Sequence, residues 1–77
     1  METNIEYLKG LSDKLSERFK TKSGNLWPGV QSIAVGKSVF IYVLDAYTQK
    51  IILKNLSDGE KNFVEVIIVG KVVLAED

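Results

Sequence analysis

The stretch from residue 29 to 38 reads GVQSIAVGKS, and its last three residues, Gly36-Lys37-Ser38, are those that close a phosphate-binding loop. That loop requires a glycine separated from Gly-Lys-Ser by four residues, so that backbone N–H groups curl around the phosphates. The required position is Gln31, and Gly29 leaves six residues between. The loop must also open a helix whose N-terminus faces the anion, whereas Ser38 runs into Val-Phe-Ile-Tyr-Val, a strand pattern. Both requirements fail. The motif reads as a hairpin bend in which Gly36 permits the turn and Lys37 and Ser38 keep it solvated.

Other reaction chemistry is thinly represented. The chain has no histidine and no cysteine, which removes the usual base at neutral pH, the usual nucleophile–base pairs and the common zinc and transition-metal sites. Asp45, Asp58, Glu60 and Glu65 have no spacing that argues for two carboxylates converging in a cleft. Gly59 and Glu65 fall at the sixth and twelfth places of a calcium loop, but the first and third places are Lys54 and Leu56, which cannot ligate. The expectation is a protein that is not an enzyme, with no catalytic, cofactor-binding or metal-binding residue. Asn55-Leu56-Ser57 matches a glycosylation acceptor and reads as a chance match in a chain with no secretion signal.

Elements of a small fold must position what remains. A chain of 77 residues holds one domain with one small core. Hydrophobic residues at 45% and charged residues at 26% fit an ordinary globular domain, and ten basic side chains balance ten acidic ones. No global field draws this chain to nucleic acid or to an anionic membrane. The opening METNIEYLKG is acidic where a secretory signal would be basic, and no apolar run approaches the ~20 residues that span a bilayer. These features predict a cytoplasmic protein with no membrane association. Without cysteine, stability must come from packing or from a second subunit.

The periodicities predict the order helix, strand, strand, helix, strand, an α+β domain whose small sheet packs on an N-terminal helix. Ile5, Leu8, Leu11 or Ser12, Leu15 and Phe19 form one apolar stripe and predict a helix over 3–22. Thr3 with Glu6 supplies a capping box at its start, and Ser23-Gly24 a stop. Gly10 costs this helix about 1 kcal/mol relative to alanine, so the helix either bends there or is closely approached. The basic residues Lys14, Arg18, Lys20 and Lys22 complement the helix dipole at its end. Period-two patterns predict strands over 30–36 and 39–44 with a tight turn between. The second, apolar on both sides, is placed centrally. Residues 46–56 fit helix or strand; a short helix over 47–56 is favoured, with Asp45 or Thr48 as its cap. After a polar turn over 57–62 a last strand is predicted over 63–75, either continuous or broken at Gly70. A helical crossover would lay it parallel to a neighbour.

In such a fold the helix over 3–22 covers one sheet face. The other bears Phe40, Tyr42, Leu44, Ile67 and Val69, with Phe63 on the same side. It must be covered by the second helix, by the Leu26-Trp27-Pro28 linker, or by another chain. Left open, it approaches the patch size that marks interaction sites, and a homodimer uses one such surface twice. The expectation is a protein-interaction module that self-associates through this face, with a homo-oligomer or another protein as partner. An alternative uses the bends at Lys37 and Lys71, with Lys50 and Lys54 nearby, to bind nucleic acid or a small ligand. The element order overlaps that of small RNA-binding KH-like modules, yet the Gly-x-x-Gly clamp of that family is absent from 45–63.

Residues 29–75, as GVQSIAVG, VFIYVL, a leucine-bearing connection and VEVIIVGKVV, resemble a short α+β segment. That segment precedes or replaces the catalytic region in some bacterial trypsin-like peptidase relatives. The resemblance spans about three-fifths of the chain. It implies a fold and no activity, because no catalytic serine, histidine or aspartate carries over.

Overall fold

Leucines at helical spacing close one side of the first element. A computed structural model of the protein, which describes residues 5–69, forms α1 at Ile5–Arg18 and buries Leu8, Leu11 and Leu15 along it. Phe19 follows the helix and is fully buried, whereas Ile5, at the start of the expected stripe, is 47% exposed. The Phe19 N–H still donates to the Leu15 carbonyl at 2.9 Å, but Lys20 then pairs with Leu26 in an isolated antiparallel bridge. The helix therefore ends before Ser23-Gly24. Gly24, with φ +93°, turns the excursion between Lys20 and Leu26 instead of stopping the helix. No described atom comes within 4 Å of the place a Gly10 Cβ would take, so close packing among the described residues does not explain that glycine. The Thr3–Glu6 capping box lies outside the described residues.

The hairpin and the crossover follow as expected. Strands β1 (Val30–Val35), β2 (Val39–Val43) and β3 (Val64–Ile68) form one sheet in the order β1-β2-β3, with β2 central. β1 is antiparallel to β2 and β3 is parallel to it. The turn is closed by the Gly36 N–H donating to the Ser38 carbonyl at 2.8 Å. Between Val30 and Ser32 the register slips by one residue at Gln31. That bulge lets Val30, opposite Val43, share a face with Ile33 and Val35, opposite Ile41 and Val39, although the residue count alone puts them on opposite faces.

The ambiguous segment is helical. α2 spans Ala46–Lys54, and the Asp45 carboxylate caps it by accepting from the Thr48 N–H at 2.8 Å. The hydrogen bond holds the Asp45 carboxyl below its ordinary range. The stretch read as a polar turn contains one more helical turn, α3 at Asp58–Lys61, closed by a Ser57–Glu60 capping box. The final strand is shorter than predicted within the described residues, and the expectations for Gly70, Lys71 and 72–75 lie outside them.

The core holds Leu8, Leu11, Leu15 and Phe19, then Val30, Val39, Ile41, Val43 and Val64 from one sheet face, then Ile52 and Leu56 from α2 and its end. Trp27 meets the Phe19 ring edge-on at 4.9 Å between centroids, and the Trp27 backbone N–H donates to the Phe19 carbonyl. α1, α2 and the linker thus all pack on the same side of the sheet.

Candidate interaction surface

Pairing fixes what the opposite side carries. Ser32, Tyr42 and Ile67 form one cross-strand row, and Ala34, Phe40 and Glu65 form the next. Leu44 and Val69 extend the face: the Leu44 N–H donates to the Gly29 carbonyl and the Val69 N–H to the Val43 carbonyl. Phe40 and Tyr42, two residues apart on one strand, stack with centroids 6.4 Å apart and planes 27° apart. The Phe40 ring also lies over Gly36. Both aromatics and Ile67 are half-buried by their neighbours, while Leu44 and Val69 are 42% and 44% exposed.

The five residues singled out from sequence therefore share one face. Among the described residues no helix and no part of the linker packs on it, since those elements join the core on the other side. Phe63 departs from expectation: it turns away to meet Tyr7 of α1 edge-on at 5.1 Å. Glu65 is the one charged side chain in the strand rows of the face.

The lysines are spread over different elements. Lys37 stands on the β1–β2 turn, and Lys50 and Lys54 on α2 in the opposite layer. Lys71 lies outside the described residues. Among those residues no group of three or more histidine, cysteine, aspartate or glutamate side chains converges, and no helix is long and apolar enough to cross a membrane.

An open cavity of about 430 Å³ lies between α1 and α3, with Gly10 and Gly59 in its walls beside Leu11, Lys14 and Glu60. Its carboxylate is committed. Arg18 donates from both guanidinium nitrogens to Glu60 at 2.8 and 2.9 Å, and the Ser57 N–H donates to it as well. These donors hold the Glu60 carboxyl at about 2, against an ordinary 4.5. The pair clamps the end of α1 to α3, and the same guanidinium donates to the Asn55 carbonyl.

A pH dependence follows. In the unfolded chain Glu60 takes up its proton near 4.5, and in the folded chain only near 2. The stabilisation is complete above 4.5, declines as pH falls between these values and is gone below the lower one. Its size is about 1–2 kcal/mol, because Arg18 is one-third exposed and water screens the pair. Urea unfolding of the wild type and of Glu60→Gln at pH 7, 4 and 2.5 checks this. The difference between the two proteins is expected to shrink steadily as the pH falls.

The chain matches no protein-family model, no curated protein and no solved structure.

Proposed function

We propose that this protein is a non-catalytic interaction module whose working surface is the sheet face of Phe40, Tyr42, Leu44, Ile67 and Val69, and that it self-associates through that face. One observation carries the reading. Both long helices and the Trp27 linker pack on the same side of the sheet, so the apolar opposite side has no cover among the described residues. Burying such a surface gains roughly 25 cal/mol per Å² of apolar area. With Glu65 as its one strand-borne charge, the face lacks the charge pattern that selects a charged partner. A second copy meets it with an equal surface about a two-fold axis.

Tyr42→Glu places a charge in the middle of that face, on a side chain that does not contribute to the core. Sedimentation across a hundredfold concentration range is expected to show a wild-type dimer or higher species, and for the folded variant a smaller species at the same concentrations, because the face contact is lost. A wild type that stays monomeric throughout, with Tyr42→Glu indistinguishable from it, ends the proposal. Titration with oligonucleotides at low salt, read by backbone amide shifts, tests the basic-bend alternative in parallel.

A further inference from the structure

The backbone of the two outer strands points to a second contact, beside the sheet rather than on its face. In β3 the Phe63 carbonyl accepts from Val39 and the Val69 N–H donates to Val43. The odd-numbered residues of β3 thus turn their polar groups to β2, and the even ones turn theirs outward. At the centre of that outward row the Val66 carbonyl is already taken, by the Gln49 side-chain amide at 3.0 Å. α2 obstructs this edge.

Among the described residues the β1 edge has no such guard. The Leu44 N–H donates to the Gly29 carbonyl, so the even residues of β2 serve β1. By the same alternation Ile33 and Val35 present N–H and C=O away from the sheet. No described group bonds to them. β1 carries neither charge nor proline from Val30 to Val35, the devices that commonly protect an edge.

We infer that β1 pairs antiparallel with β1 of a second copy, about a two-fold axis at Ala34, to make one continuous six-stranded sheet. The register is determined by the chain. Centring on Ala34 sets Ile33 opposite Val35 of the second copy, and Val35 opposite its Ile33. Every outward N–H and C=O of these residues is then used without recruiting the bulge at Gln31 or the turn. The two Ala34 residues form the intervening close pair, where a small side chain fits best. Lys37 falls opposite Gln31, so no like charges meet. The helical layer also fits. α1 touches both β1 and β2 and so lies over the groove between them, which sets the two copies of α1 about 10 Å apart, within reach of helix packing.

This contact does not depend on the stacking proposed above, and the test separates the two by working in a chain that carries Tyr42→Glu. The protein is free of native cysteine, so Ala34→Cys and Ser32→Cys can be compared directly. Across the axis the residues at 34 are ~4.5 Å apart between Cα atoms, within disulfide reach, while those at 32 are ~14 Å apart. Under mild oxidation, Ala34→Cys is expected to form a covalent dimer at least about tenfold faster than Ser32→Cys. In the Tyr42→Glu chain without cysteine, exchange of the Ile33 and Val35 amides is expected to slow with rising protein concentration. Equal cross-linking at both positions, or amides that exchange freely at every concentration, overturns the edge contact. Because these readouts come from a chain whose stacking face is disabled, either result leaves the stacking proposal standing.

Discussion

Phe19→Ala is expected to remove about 3–5 kcal/mol of folding stability. A chain of this length has about 4–12 kcal/mol in all, so the loss is at least about a quarter of the total stability. Phe19 is fully buried just beyond the last turn of α1 and touches the Trp27 ring. Its removal leaves a cavity where helix, linker and sheet converge, and no disulfide restrains the unfolded chain. The protein has one tryptophan, so Trp27 fluorescence reports the site directly. Urea titration followed at that wavelength should show a midpoint well below wild type. A loss under 1 kcal/mol would contradict the packing described here.

Gly29→Ala is expected to cost about 2–4 kcal/mol, from two separable causes. Gly29 has φ +91°, where an alanine is strained by ~1–2 kcal/mol. Its added Cβ would also overlap Thr48 Oγ1 and stand 3.1 Å from Thr48 Cβ and Cγ2, which demands a shift between the start of β1 and the first turn of α2. Gly24 provides the control. It has φ +93° with nothing within 4 Å of the added atom, so Gly24→Ala should show the conformational cost alone, about 1–2 kcal/mol. Equal losses at the two positions, measured by chemical denaturation, would mean that the Thr48 contact relaxes freely.

What the sequence disclosed was what periodicity encodes. The spacing of Leu8, Leu11, Leu15 and Phe19 predicts the buried side of α1. The two-sided apolarity of Val39 to Leu44 predicts a central strand, and the five residues of the exposed sheet face are named by alternation alone. The position of Asp45 ahead of the apolar spacing predicts it as a candidate cap, and its carboxylate accepts from the Thr48 N–H. Three features were hidden for different reasons. The end of α1 depends on the Lys20–Leu26 bridge, a pairing that polar residues at helical spacing do not announce. The bulge at Gln31 is a property of pairing with β2 and has no marker in β1. That both helices fall on one side is a matter of topology, which element order leaves open. α3 does carry a local signal: Ser57 and Glu60 stand at capping-box spacing within the polar stretch over 57–62.

The inequality of the two sheet edges also bears on how far assembly can go. A sheet open on both sides adds chains without limit, each new copy offering a fresh template, and the product is a fibre. Here Gln49 holds the middle carbonyl of one border, leaving one open sheet edge among the described residues. At the sheet edge, units of this kind couple once and terminate. The side chain of one glutamine on α2 thereby sets an upper bound on growth along the hydrogen-bonding direction of the sheet.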